Sequence, residues 1–269
     1  LTQFGDHYRS IVHPLTWERF SVPTTDRTAE IDAWIMRPAD FDPSRTYPVM
    51  LNVHGGPHTQ YGETFFDEAQ YQAAAGWVVL MSNPRGGSGR EQAWGQAILG
   101  PKHHVAPGSG WGGLDVDDVM AVVDTALARY TFCDSTRVCM QGGSYGGFMS
   151  LACLTNYPDR FRCGIDNVGI ANWVTFLERT SPYRQDLRRV EYGDERDPSM
   201  REHLDRISPL TNAHRIRKPL MVVHGKNDPR VPYTEAEQIV SRVRANGVPV
   251  WYLRADNEGH GFARKENAD

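Results

Sequence analysis

Short, continuous apolar runs that end in glycine-rich or polar clusters recur along this chain, and they constrain its fold more than any other feature. YPVMLNV runs into HGGP (54–57), WVVLMS into NPRGG (83–87), and RVCMQ into GGSYGG (142–147). GIDNVG leads into GIANW (169–173), PLMVV into HGKNDPR (224–230), and PVWYLRA is followed after a loop by EGHGF (258–262). A run that is apolar on successive residues has no solvent face, so it reads as a strand covered on both sides. Between these runs lie segments with apolar positions at helical spacing: 64–75, 114–130, GFMSLACLTNYP stopped by Pro158, and YTEAEQIVSRVRANG closed by Gly247. The alternation predicts an α/β fold, a mostly parallel central sheet with helices on both faces. Ahead of it, WERFSV (17–22) and EIDAWIMR (30–37) alternate around the polar turn TTDRT and predict an N-terminal β-hairpin. In such sheets ligands bind outside the carboxyl ends of the strands. Nearly every unusual cluster in the chain falls at one of those ends.

A length of 269 residues suits one sizeable domain. The formal net charge of −4, without a dense Lys/Arg stripe, excludes the electrostatic footprint of a nucleic-acid partner. Arg179, Arg184, Arg188 and Arg189 form the nearest basic group and read as a solvated helix face. No apolar stretch approaches membrane-spanning length. The chain opens on Leu1 rather than Met, so its true N-terminus is expected to be missing. A cytoplasmic location is favoured, with export left open. A homo-oligomeric state is likewise left open. The cysteines, Cys133, Cys139, Cys153 and Cys163, lack zinc-ligand spacing and read as buried free thiols, a Cys153–Cys163 bridge being the alternative.

Gly142-Gly143-Ser144-Tyr145-Gly146 fits G-x-S-x-G, with a strand leading in and a small-residue helix leading out. A sharp strand-to-helix turn needs glycine on both sides, because Cβ atoms there would collide. Ser144 then sits above the sheet at a helix N-terminus, where free N–H groups favour developing negative charge. A serine hydroxyl needs a base, and the base needs an orienting acid. In the α/β-hydrolase fold these follow in the order Ser, Asp or Glu, His. His260 in EGHGF is the histidine after the last acid loop, and Asp228 follows an apolar run directly. Asp256 and Glu258 are rival acids, too near His260 in sequence to reach its far nitrogen comfortably. Two N–H donors should stabilise the tetrahedral oxygen. The amide of Tyr145, just after the nucleophile, is one. Gly56 of the HGGP loop is the other, since backbone can approach substrate closely there.

Other motifs point elsewhere. His103 and His104 invite a metal reading but have no further ligands at workable spacing, so no metal is expected. Gly108-Ser109-Gly110-Trp111-Gly112-Gly113 fits G-x-G-x-x-G and precedes a helix, yet PKHHVAP before it is no strand. No cofactor is expected.

The set HGGPH (54–58), NPRGGSG (83–89), GWGGLDVDD (110–118), GGSYGG, HGKNDPRVP (224–232), EAEQIVSRVRANGVPV (235–250) and EGHGF resembles the catalytic domain of the prolyl oligopeptidase family of serine peptidases. The likeness is to its acylaminoacyl-peptidase-like and dipeptidyl-peptidase-like bacterial members. It implies Ser144, Asp228 and His260 as a triad, with Gly56 and Tyr145 as oxyanion donors. It also implies an apolar S1 pocket at Tyr145, Ile170, Trp173, Phe176 and Val231, which the residues alone would read as core. Family members carry a β-propeller before this domain and a helix after the histidine. Residues 1–16 are therefore expected to be a linker remnant, and 17–269 a catalytic domain lacking its final helix. The expected function is a cofactor-independent serine peptidase acting on short peptides. A carboxylesterase of the same fold acting on small acyl esters is the alternative; a non-catalytic binding module and a nucleotide-binding protein are weaker readings.

Overall fold

The computed structural model describes residues 2–99 and 110–268. His103, His104 and the Gly108-Ser109 start of the glycine-rich segment lie outside the described residues. A short helix, α1 (Asp6–Ile11), precedes the hairpin β1 (Glu18–Pro23) and β2 (Glu30–Met36). The chain continues through β3 (Tyr47–Val53), α2 (Asp67–Ala74), β4 (Val78–Asn83), α3 (Gln92–Gln96), α4 (Leu114–Arg129), β5 (Cys133–Gly143) and α5 (Tyr145–Asn156). Then come β6 (Cys163–Asn167), α6 (Trp173–Arg179), α7 (Pro182–Tyr192), α8 (Pro198–Ile207), β7 (Leu220–Gly225), α9 (Thr234–Ala245), β8 (Val250–Ala255) and the one-turn α10 (Lys265–Ala268).

The strands form one eight-stranded sheet in the order β1-β2-β4-β3-β5-β6-β7-β8. The pairs β1–β2 and β2–β4 are antiparallel and all others are parallel. This is an α/β-hydrolase fold with helices against both faces of the sheet. Every residue of β4 is buried, as its unbroken apolar run requires. In α4, Val116, Val119, Met120, Val123 and Ala126 line the buried face, with Asp115 and Asp117 in the first turn and Arg129 in the last, matching the helix dipole. The strand order reverses around β3, which lies between β4 and β5. A crevice opens at such a reversal, and here the HGGP loop after β3 meets the GGSYGG turn after β5.

The predicted strands and hairpin are all present. The helices α6, α7 and α8, which occupy the span between β6 and β7, were not resolved as elements by their spacing. The arginines of α7 also depart from the expected solvated face. Arg188 and Arg189 are half-buried; Arg188 pairs with Glu191, and Arg189 with Glu195 at 2.5 Å. Tyr183, Leu187 and Val190 point outward instead. Glu191 in the last turn of α7 and Glu195 just after it draw these cations inward, so charge pairing outweighs the usual amphipathic orientation. Among the cysteines, the thiol beside Cys163 is that of Cys139, its register partner across β5 and β6, while Cys153 is buried within α5. Among the described residues no helix is long and apolar enough to cross a membrane.

Candidate active site

β5 ends at Gly143 and α5 begins at Tyr145, so Ser144 alone makes the turn. It does so at φ 60°, ψ −113°, a left-handed conformation that costs a non-glycine residue on the order of 1–3 kcal/mol. The surrounding bonds hold it there. Its amide donates to the Asn167 carbonyl at 2.8 Å, and its carbonyl accepts from the Phe148 amide at 3.0 Å. Helix α5 approaches the sheet closely enough to require glycine. A Cβ on Gly142 would lie 2.4 Å from the Gly146 carbonyl oxygen, and one on Gly146 would lie 2.1 Å from that of Val53. The HGGP loop packs against the same turn: a Cβ on Gly55 would lie 2.9 Å from the Gly143 oxygen and 3.5 Å from Ser144 Cβ. Gly56, next in the loop, has φ +119°.

The loop after β7 carries Asp228, whose side chain is fully enclosed. Oδ1 accepts the amides of Arg230 at 2.8 Å and Val231 at 3.0 Å. Oδ2 lies 2.6 Å from His260 Nδ1. Burial pushes the Asp228 carboxyl up, but the donors His224 and His260 and the Arg230 amide outweigh it and hold the group below the usual carboxylate range. An ionised carboxylate only accepts, so His260 Nδ1 carries a proton and Nε2 is the free basic nitrogen. The rival acids are engaged elsewhere. Glu258 accepts from the Ala263 and Arg264 amides and from Asn267, and Asp256 pairs with Arg254 at 3.2 Å.

Ser144 and His260 line the same cavity of about 340 Å³, together with Gly56, Ile170, Phe176 and Val231. They also share the wall of an adjoining cavity of about 630 Å³. The side chains of Tyr145 and Trp173, expected on the smaller cavity's wall, stand behind it in the core. Tyr145 donates its hydroxyl to Asp115 Oδ2 at 2.7 Å, and both residues are buried. Trp173 sits among Phe148, Tyr192 and Trp111 at ring distances of 4.8, 4.5 and 5.7 Å. The reason is local: the first side chain of α5 turns inward to satisfy a buried carboxylate, and Trp173 caps the aromatic cluster around it. Asp115 also accepts the Val116 and Gly112 amides; burial pushes its carboxyl up to about 6, against these donors. The sequence reading missed Tyr192, Arg188 and Arg230 on the cavity wall. The first two come from α7, whose register the charge pattern obscured. Among the described residues no group of three or more His, Cys, Asp or Glu is arranged to hold a metal ion.

Comparison with known proteins places this geometry in a family context. A family model, Peptidase_S9, described as the prolyl oligopeptidase family, matches residues 63–269. An uncharacterized peptidase, YuxL, of Bacillus subtilis is 34% identical over 243 residues, covering 89% of this chain and 35% of the relative. Dipeptidyl aminopeptidase BIII of Pseudoxanthomonas mexicana is 38% identical over 225 residues, covering 82% of this chain and 31% of the relative. A solved acylaminoacyl peptidase of Pyrococcus horikoshii superposes with a TM-score of 0.86 at 26% identity, over 97% of this chain and 40% of that one. The chain thus spans about a third of the length of the curated relatives it matches.

Proposed function

The chain belongs to the prolyl oligopeptidase family, and from that premise we propose that it performs the hydrolytic step of a serine peptidase acting on short peptides. Ser144 is the nucleophile, His260 the general base and then acid, and Asp228 the orienting carboxylate. The observation that carries the reading is the 2.6 Å Asp228–His260 contact, whose free ring nitrogen belongs to a residue lining one cavity with Ser144.

His260 Nε2 takes the Ser144 proton as Oγ attacks the acyl carbonyl. The oxyanion forms between the Tyr145 amide, at the N-terminus of α5, and the Gly56 amide. Each such donor is worth roughly 3–4 kcal/mol in the transition state. The imidazolium then returns its proton to the leaving amine, and water hydrolyses the acyl-enzyme by the same steps in reverse. Asp228, held ionised, fixes the His260 tautomer and stabilises its cation. Ile170, Phe176, Val231 and Tyr192 give the cavity apolar walls and support its role as the acyl-side pocket. The relatives that are named as dipeptidyl or acylaminoacyl peptidases support amide rather than ester substrates.

The test is a comparison of kcat/KM for dipeptidyl- and N-acyl-aminoacyl-4-nitroanilides against short acyl esters, made on the full-length protein. Efficient anilide cleavage supports the peptidase reading. Ester turnover without anilide cleavage would assign the chain to the carboxylesterases instead.

A further inference from the structure

A second imidazole stands behind Asp228 and takes no part in the steps above. His224, on β7, is completely buried. Its Nε2 lies 2.9 Å from the Val231 carbonyl oxygen, and a carbonyl only accepts, so Nε2 carries a proton. The same nitrogen lies 3.5 Å from Asp228 Oδ2, the oxygen that receives His260. Two imidazoles therefore address one carboxylate oxygen. Val231 also gives its amide to Asp228 Oδ1. The His224–Val231 bond thus closes the 228–231 turn around the carboxylate.

His224 Nδ1 and both carboxylate oxygens of Asp166 are buried without hydrogen-bond partners. Asp166, on β6, is in register with Val222 of β7, so it shares a sheet face with His224 two residues on. Its Oδ1 is wedged against backbone: a Cβ on Gly147 or Gly169 would come within 2.4 or 2.1 Å of it. The other charged neighbours are occupied. Arg254, the register partner on β8, pairs with Glu237 of α9 and with Asp256. Glu235 of α9 is bound by Thr175 and the Asn172 amide, and α5 brings no charged side chain. Burial pushes the Asp166 carboxyl up to about 6, opposed by the charge of His224; the Gly169 amide tempers the shift without reaching hydrogen-bond geometry. Burial lowers the His224 value, but Asp228, the Val231 carbonyl and Asp166 outweigh it and raise the imidazole above its ordinary range.

We propose that His224 is a positioning residue for the triad: its Nε2–H, anchored on the Val231 carbonyl, closes the 228–231 turn around Asp228 and keeps Oδ2 turned toward His260. The inference rests on the peptidase reading. Without the His224 donor the turn loosens, Asp228 is no longer held toward His260 Nδ1, and the base loses its orienting partner.

The readout is the second-order rate of Ser144 labelling by a fluorophosphonate, from pH 5 to 9, in the full-length protein. His224→Gln keeps a neutral donor near the Nε2 position. His224→Gln should therefore label within about twofold of wild type across the range. His224→Leu, which lacks the donor, should label roughly tenfold more slowly across the range. His224→Asn, too short to reach the Val231 carbonyl, serves as the donor-deficient variant where His224→Leu does not fold. A folded His224→Leu that labels at the wild-type rate, or a folded His224→Gln that labels as slowly as His224→Leu, overturns the proposal. Absence of labelling at Ser144 in the wild-type protein would overturn the peptidase reading itself.

Discussion

Replacing Glu235 with glutamine isolates the cost of one buried charge. Glu235 lies in the first turn of α9 and is completely buried. Oε2 accepts the Asn172 amide at 2.8 Å and Oε1 the Thr175 hydroxyl at 2.5 Å. The residue thereby ties α9 to the start of α6, the helix that carries Phe176 to the cavity wall. Burial pushes its carboxyl from 4.5 up to about 7, with Thr175 and the Asn172 amide opposing. Between those values the folded chain binds more protons than the unfolded chain. The favourable contribution is therefore complete below about pH 4.5 and is lost as the pH rises through 7. At about 1.4 kcal/mol per pH unit, the loss is on the order of 3 kcal/mol. Glutamine keeps an oxygen for the Asn172 amide and never ionises. The stability of Glu235→Gln relative to wild type should then increase by about 3 kcal/mol from pH 4.5 to 8. Asp115 and Asp166, both pushed up to about 6, act alike in the two chains and cancel in the difference. Urea unfolding followed by tryptophan fluorescence at unit pH steps measures it. A difference that stays flat with pH would show that Glu235 ionises normally inside the fold, and the reasoning would be wrong.

Arg85 ties the NPRGG loop to α4 through Asp118, with bonds of 2.6, 2.8 and 2.9 Å from its guanidinium and amide, and both side chains are buried. Arg85→Met should cost roughly 3–5 kcal/mol of unfolding free energy, and the double variant with Asp118→Leu should recover much of it in the same urea titration. Tyr145→Phe removes a donor from buried Asp115 and should cost about 1–3 kcal/mol by thermal or urea unfolding. Asp228→Asn should lower kcat by roughly 10⁴-fold with little change in KM, because the imidazole loses its tautomer control. Asp228 lies below the usual carboxylate range, so its stabilising share is complete above about pH 4 and lost on further acidification. The same variant should flatten that acid limb in a pH series of unfolding midpoints.

The sheet was legible because its strands are buried on both faces and must be continuously apolar. The proposed triad was legible because each member sits in a loop that follows a strand, with glycine or proline beside it. Asp228 and His260 are 32 residues apart, and the order of the loops was enough to pair them. The wall of the proposed acyl-side pocket was harder to read. Tyr145 and Trp173 carry the right side chains at the right spacing, but a buried Asp115 turns the tyrosine inward and an aromatic cluster absorbs the tryptophan. No periodicity reports a hydrogen bond between positions 30 residues apart. The α7 contribution was hidden for a related reason: Arg188 and Arg189 are half-buried beside Tyr192 while Tyr183, Leu187 and Val190 face out, against what amphipathic spacing implies. His224 heads the HGKNDPR cluster, but its spacing assigns it no role; only the return of the 228–231 turn gives it a partner.

The central claim is that a hydroxyl strained out of the β5–α5 turn is made nucleophilic by the imidazole on the loop beyond β8. Fluorophosphonate labelling of the full-length protein, mapped by peptide mass, tests it most directly. One adduct on Ser144, lost in Ser144→Ala and slowed by several orders of magnitude in His260→Ala, with circular dichroism unchanged in both, is the predicted result. An adduct on another residue, or undiminished turnover in Ser144→Ala, would contradict it.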